Sequence, residues 1–373
     1  MTTATERSAS QHTPPPVAVT MALPEIEPTG DAQLDHTLAG MLSKPYQPRR
    51  ALGRIESLAS QLARIQQQGE TGFGSLSFQF PQAVVFASDH GVADEGVADL
   101  PQSATLETVR ALLDGEAHTN RLAVQHGFGL TVVDAGVATH VTPGQDSPVS
   151  AQLMQRKIGY GTRNMLLSPA MSGAQAVSAV NAGMDVVKHL PGNVLAIGST
   201  GVAGHASASV LLSRLCGVPL VDALGQDGDL DETKQQSRSE KLFAALTRHR
   251  KATSPMDALA SLGGFEIAMM TGAMLQAASE RRIILVDGFV AGAAALVARG
   301  MSPNVDDYLV HTHRSHHAGH RLLLIHMQAQ PLLDLDIRAG EAVGALTAWP
   351  LLQSVQTLLS EVPGQTIPEV QLP

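Results

Sequence analysis

The sequence predicts an α/β fold: a Rossmann-like, doubly wound parallel sheet with a small helical lobe built from the N- and C-terminal segments. Three observations carry this expectation. Short apolar runs without polar alternation recur at Ala83 to Ala87, Leu130 to Ala135, Val194 to Ile197, Ile283 to Val286 and Leu322 to His326, as parallel strands covered on both faces require. Helical stretches lie between them, at Thr105 to His126, Ser172 to His189 and Gly264 to Ala278, and this alternation indicates a doubly wound sheet. With 373 residues, 44% of them hydrophobic and 16% charged, the chain is long and apolar enough to bury a large core.

Four segments follow in chain order. Residues 1 to 30, rich in Thr, Ser and Pro, read as a mobile leader. Residues 31 to 75 carry two amphipathic helices, on the spacings Leu34, Leu38, Met41, Leu42 and Leu52, Ile55, Leu58, Leu62, Ile65, broken around Pro45 and Pro48. Residues 76 to 330 form the large α/β domain, and residues 331 to 373, helical from Leu332 to Leu359, return to join the small lobe.

Composition narrows the function. Aromatic residues at 3% and a formal net charge of -9 argue against nucleic acid, which needs stacking faces or a basic field. A single cysteine, Cys216, permits no internal disulfide and no thiolate metal cluster. The N-terminus lacks a secretory pattern, and the most apolar stretch, Ile283 to Ala298, is interrupted by Asp287 and too short to span a bilayer. A cytoplasmic protein is expected, with neither nucleic acid nor membrane as partner.

In an open α/β sheet the ligand sits outside the carboxyl ends of the strands, so polar residues that end apolar runs are the candidates. Asp89 and His90 end the first run; Asp89 reads equally as a turn cap. Gly198-Ser199-Thr200-Gly201 ends another and leads into a helical stretch, where glycines and free amides suit a phosphate, although neither a P-loop nor a dinucleotide fingerprint is present. Gly263 and Gly264 suit a tight helix entry with Glu266 in a structural first-turn role, and Asp287 ends a further run. The histidine-dense segment His311 to His320 invites a metal, but its spacing matches no helical zinc site and it holds no carboxylate. Its Arg314 and Ser315 suit a phosphate instead. Glu341, between Gly340 and Ala342 in a small apolar segment, is either an ordinary helix cap or a partly desolvated carboxylate with a raised pKa, suited to act as a base.

Taken together, the segments FASDHGVADEGV (Phe86 to Val97), RKIGYGTRNM (Arg156 to Met165), LGGFEIA (Leu262 to Ala268), VDGFVAGAAALVA (Val286 to Ala298), HRSHHAGH (His313 to His320) and PLLDLDIRAGEAVGA (Pro331 to Ala345) resemble the nicotinate-nucleotide:dimethylbenzimidazole phosphoribosyltransferase family of cobalamin nucleotide-loop assembly. The resemblance runs from about Ala51 to Leu359 and implies a usually dimeric enzyme. Such an enzyme transfers the phosphoribosyl group of nicotinate mononucleotide to a benzimidazole nitrogen, with no metal or cofactor. It also implies that Glu341 is the general base and that Gly198, Ser199, Thr200 and Ser315 face the nucleotide. Asp89, His90, Gly201, Gly264, Asp287 and Arg338 complete the expected substrate-binding set. Against the family's Gly-Glu-Met-Gly-Ile-Gly-Asn-Thr-Thr run, a carboxylate is expected to have become Val194. The family's base-pocket Ser and Gln fall on Ala98 and Leu106, which makes that pocket apolar, and the stretch Gly225 to Glu232 is altered, leaving Lys234 or Arg238 to supply the cation beyond it. A non-catalytic paralogue that binds a nucleotide or pairs with an active subunit is the alternative, and a metal protein using the histidine run is a third.

Overall fold

The computed structural model describes residues 21–43, 46, 48, 50–67, 75–142, 151–225 and 231–360. In chain order the helices are α1 (Ala32–Leu42), α2 (Arg54–Gln66), α3 (Ser103–Leu113), α4 (His118–His126), α5 (Gly173–Lys188), α6 (Gly204–Cys216), α7 (Leu220–Leu224), α8 (Glu232–Arg248), α9 (Pro255–Leu262), α10 (Phe265–Ser279), α11 (Gly288–Met301), α12 (Ala318–His326) and α13 (Val343–Leu359). The strands are β1 (Gln82–Ser88), β2 (Gly129–Gly136), β3 (Gln152–Gln155), β4 (Val194–Thr200), β5 (Ile283–Val286), β6 (Leu309–His311) and the short pair β7 (His313–Arg314) and β8 (Leu333–Asp334).

The main sheet has the order β3-β2-β1-β4-β5-β6 with every pairing parallel. The chain runs outward from β1 to one edge, then returns beside β1 as β4 and runs to the other. That reversal lies between β1 and β4, and it opens a crevice at the carboxyl ends of the strands. Four of the five predicted runs are strands: β1, β2, β4 and β5 enclose them. Their side chains are almost entirely buried, because helices close over the sheet. Helices α5 and α10 meet backbone to backbone: a β-carbon at Gly183 would stand 1.9 Å from the Met269 carbonyl, and one at Gly272 equally close to that of Val180. Only glycine allows this approach.

The fifth run is corrected. Leu322 to His326 belongs to α12, whose Leu323 and Leu324 are buried while Arg321, Ile325 and His326 are exposed, a helical and not a strand periodicity. The sixth strand is instead Leu309–His311, only three residues long, and edge strand β3 is a four-residue Gln-Leu-Met-Gln segment with no buried residue. The stretch Thr105 to His126 is two helices, divided where Asp114 ends α3 and Gly115 takes φ +81°. The terminal stretch is helical only from Val343; residues 335 to 342 run as irregular chain over the sheet and carry Glu341.

Of the expected leader, residues 1–20 lie outside the described residues, and its last residues are anchored. Ile26 and Thr29 are buried, the Tyr308 hydroxyl donates to the Glu27 carbonyl at 2.8 Å, and the Thr29 amide donates to Asp307 at 2.8 Å. Helices α1, α2 and α13 pack on one another, and α13 also packs on α4 and β4. That last contact brings the Glu341 segment against the crevice.

Candidate active site

A cavity of about 390 Å³ occupies the crevice. Its walls come from the strand ends and the segments that follow them: residues 97–108 after β1, 199–206 from the end of β4 onward, 287–290 after β5, 315–317 after β7 and 337–341 before α13.

Glu341 lines this cavity in an unusual backbone conformation. Its φ is +55° and that of Ala342 is +67°, two successive left-handed residues, neither a glycine. Such a conformation costs of order 1–3 kcal/mol per residue and persists only where the surroundings impose it. Here they do. The Glu341 amide donates to the Ser199 carbonyl at 3.3 Å, and the Thr119 hydroxyl donates to the Glu341 carbonyl at 2.7 Å. Gly198 removes the side chain that would block the turn, since a β-carbon there would stand 2.1 Å from the Ala342 nitrogen. Burial disfavours the charged carboxylate and pushes the pKa of Glu341 up to about 7.

Asp287, at the end of β5, is fully buried beside this turn and also lines the cavity. Its Oδ1 accepts the Ala345 amide at 3.0 Å, and the amides of Ala342 and Gly344 also bond to it. Burial, with a smaller contribution from the Glu341 charge, pushes its pKa up to about 7 despite those bonds. His313 lies 3.6 Å away and is pushed down to about 4 by burial, so it stands neutral beside the carboxyl group at neutral pH.

A third acidic group, Glu266, enters the cavity from the first turn of α10. Its Oε1 lies 2.7 Å from His90 Nε2, and the His90 Nδ1 is 2.9 Å from the Ser207 hydroxyl. Burial opposes protonation of His90, but the charge and hydrogen bond of Glu266 outweigh it and raise the pKa. Both ring nitrogens of His90 are thus engaged, one by Glu266 and the other by Ser207.

The lining also offers cationic and polar groups. Ser315 lines the cavity with its hydroxyl 2.9 Å from His320 Nδ1. Arg238 from α8 and Arg338 line it as well. The ring of His317 stacks on Phe289 at 4.4 Å and on His205 at 5.3 Å, all three rings in the lining. Helix α6 begins here without a side-chain cap, because its N-cap position is Ala203; the Gly204 amide is taken by the Gly201 carbonyl at 3.1 Å, and the positive end of the helix faces the cavity.

Strand-end glycines, an uncapped helix start, a pair of arginines and a desolvated carboxylate in one crevice suit transfer chemistry on a phosphorylated sugar. A family model described as "Phosphoribosyltransferase" matches residues 28–366. The chain belongs to this family. A nicotinate-nucleotide--dimethylbenzimidazole phosphoribosyltransferase of Cupriavidus taiwanensis is 44% identical over 345 residues, covering 92% of this chain and 96% of the relative. That of Cupriavidus necator is 45% identical over the same length. The crystal structure of an enzyme so named from Thermus thermophilus superposes with a TM-score of 0.80 at 31% identity, covering 88% of this chain and 96% of that one.

In this phosphoribosyltransferase the cavity gathers eight of the residues singled out in the sequence: Glu341, Ala98, Ser199, Thr200, Gly201, Asp287, Ser315 and Arg338. Five stand outside its lining. Asp89 is buried behind it, its Oδ2 accepting the Ala138 amide at 2.7 Å and its carboxylate bonded to the Thr105 hydroxyl. His90 is held by Glu266 and Ser207 as described. Gly264 makes room for that pair, because a β-carbon there would stand 2.4 Å from both Glu266 Oε2 and the His90 ring. Gly198 makes room for the Ala342 amide. Leu106 packs on the core: α3 turns Ala104, Thr105 and Thr108 to the cavity, and a residue one or two positions away points elsewhere.

Val194 is corrected too. It opens β4, fully buried and paired with Ile283 at the end of the strand remote from the cavity, so its side chain does not reach the site. The β4 residues that reach the cavity are Ser199 and Thr200. A register five residues further along would set two of the run's three glycines on Gly198 and Gly201, the third on Ala203 and its carboxylate on Ser199.

Glu266, read from the sequence as structural, lines the cavity, as do Thr105, His205, Phe289 and His317. The LGGFEIA and VDGF segments that contain Glu266 and Phe289 were the available signal; His205 had none. Arg238 lines the cavity and Lys234 does not, while residues 226–230 of the altered stretch lie outside the described residues. Among the described residues no group of three or more His, Cys, Asp or Glu is placed to hold a metal ion. The histidine run serves structure: His317 caps α12, His320 holds Ser315, and His313 packs under Gly344. Among the described residues no helix is long and apolar enough to cross a membrane.

Proposed function

We propose that this phosphoribosyltransferase transfers the phosphoribosyl group of nicotinate mononucleotide to 5,6-dimethylbenzimidazole or a related lower-ligand base, giving α-ribazole 5'-phosphate and nicotinate. The observation that carries this reading is Glu341, a desolvated carboxylate clamped in a left-handed turn at the mouth of the sheet crevice, with a pKa near 7. A general base works best with a pKa near the operating pH. As the azole nitrogen attacks the ribose anomeric carbon, the bond to nicotinate breaks and nicotinate leaves with its electron pair. The ring N–H proton of the acceptor passes to Glu341.

The donor is oriented by other groups of the lining. The uncapped start of α6, Ser315 and Arg238 receive its phosphate, while Ser199, Thr200 and Gly201 face the ribose. Holding both reactants in one crevice turns a bimolecular step into an effectively unimolecular one. The acceptor lies along Val97, Ala98, Leu100, Thr105 and Thr108. The two threonine hydroxyls are engaged within the protein, Thr105 with the Val202 amide at 3.0 Å and Thr108 with the Ala104 carbonyl at 3.0 Å. This wall therefore recognises an apolar ring by its shape. We also assign the enzyme to the cytoplasm, on its single half-buried thiol Cys216, and expect a homodimer, on the family resemblance.

Chromatography of the protein incubated with nicotinate mononucleotide and a panel of bases tests the reading. Nicotinate release with formation of the dimethylbenzimidazole riboside phosphate is expected. Binding of donor without release on any base would favour a non-catalytic paralogue.

A further inference from the structure

Helix α13 lacks a side-chain cap of its own. Its N-cap residue is Ala342, which has nothing to offer the free amides of the first turn. The missing acceptor comes from a neighbouring strand: the Asp287 carboxylate, at the end of β5, accepts the amide of Ala345 at 3.0 Å and bonds those of Ala342 and Gly344. Asp287 lines the cavity, and its Oδ1 is directed into the turn that follows Glu341. Its Oδ2 is buried with no hydrogen-bond partner among the described residues. His313 lies 3.6 Å from Oδ1, and its ring packs so tightly under Gly344 that a β-carbon there would stand 2.0 Å from Nδ1.

We propose that Asp287 is a positioning residue for the transfer: by capping α13 from β5 it holds the left-handed Glu341–Ala342 turn in place and so aims the Glu341 carboxylate at the acceptor. The proposal rests on Glu341 being the base. It reassigns Asp287 from contact with substrate to support of the group that reacts. Two successive non-glycine residues at positive φ relax toward ordinary conformations when nothing imposes them. A shift of about 1 Å in a reacting group is enough to cost about a hundredfold in rate.

The test compares Asp287→Ala, Asp287→Asn and Glu341→Gln in the full-length protein, by turnover of nicotinate mononucleotide with dimethylbenzimidazole and by calorimetric binding of the donor. Asp287→Ala is expected to lower kcat at least about a hundredfold while donor affinity stays within about threefold. Asp287→Asn keeps an acceptor for the Ala345 amide and is expected to recover all but about tenfold of the rate. An alanine variant with unchanged kcat, a loss that falls on donor affinity alone, or an asparagine variant as slow as alanine would each overturn the proposal. If the alanine variant does not melt cooperatively, Asp287→Ser, which retains a small polar group, is judged by the same criteria. Glu341→Gln separates the two layers of the argument. If it is inactive while Asp287→Ala is active, only the positioning role fails; if it is fully active, Glu341 is not the base and the positioning role goes with it.

Discussion

The amide nitrogen of Ala342 lies where the side chain of residue 198 would be. A β-carbon on Gly198 would stand 2.1 Å from that nitrogen and 2.8 Å from the Glu341 carbonyl carbon, so the strand and the turn that carries Glu341 can meet only because residue 198 is a glycine. The contact fixes the depth at which Glu341 enters the crevice, which links one backbone position in β4 to the chemistry.

Gly198→Ala should therefore push the Glu341 turn outward. The expected result is a fall in kcat of about a hundredfold or more, with a loss of stability of about 1–3 kcal/mol from overpacking. Initial rates and chemical denaturation of the same preparation check both. A variant with native turnover would show that the turn does not depend on the contact.

Ala342 invites the opposite change. At φ +67° it carries a left-handed strain that glycine does not. Ala342→Gly should gain about 1 kcal/mol of stability, the relief of strain less the extra chain entropy, read as a higher denaturation midpoint at unchanged slope.

Glu341 ties activity and stability to pH with opposite signs. A base must be ionised, so kcat/KM should rise with pH along a limb centred near 7, the value to which burial pushes the group. For stability, a carboxyl whose folded pKa lies above its unfolded one contributes stability below the unfolded value, near 4.5, and loses it as pH rises through about 7. Glu341→Gln should thus melt higher than the parent at pH 8, by roughly a few degrees, and this advantage should disappear by pH 4. Thermal melts across that range decide it, and a constant difference would mean that the carboxylate is not desolvated.

Ser315 is held for its role by His320, whose Nδ1 lies 2.9 Å from its hydroxyl and 3.0 Å from its amide nitrogen. Burial and the neighbouring histidines keep the pKa of His320 well below the usual value, so the ring is neutral at working pH and its Nδ1 is free to accept. The hydroxyl competes for that acceptor or for a phosphate oxygen. Ser315→Ala should weaken the donor by about tenfold, the order of one hydrogen bond to a charged group, with kcat changed less. Calorimetry with nicotinate mononucleotide checks it, and an unaltered affinity would remove Ser315 from the phosphate.

The sequence made the sheet legible because β1, β2, β4 and β5 are central and apolar on both faces, and the strand-end rule then located the crevice. Edge strand β3 and three-residue β6 carried no such pattern, while the run Leu322 to His326 was as apolar as a strand although α12 buries only one side of it. In the site, Glu341 and Ser315 could be read because each stands in a distinctive motif. Gly198, Gly264 and His90 were read toward the ligand, although they act on other side chains and backbone; a glycine that admits a neighbour and one that admits a phosphate look alike in sequence. Val194 failed for a related reason. A glycine-rich run fits along a strand in more than one register, and only the position of the strand's end against the cavity shows that Ser199 and Thr200 reach it while Val194 does not.

The most direct measurement of the central claim is the initial rate of nicotinate release from nicotinate mononucleotide and 5,6-dimethylbenzimidazole by the parent protein and by Glu341→Gln, with donor affinity measured in parallel. The account predicts turnover by the parent and a loss of at least about tenfold in the variant, a modest share of what a general base provides, at unchanged donor affinity. Equal rates in the two proteins would contradict it.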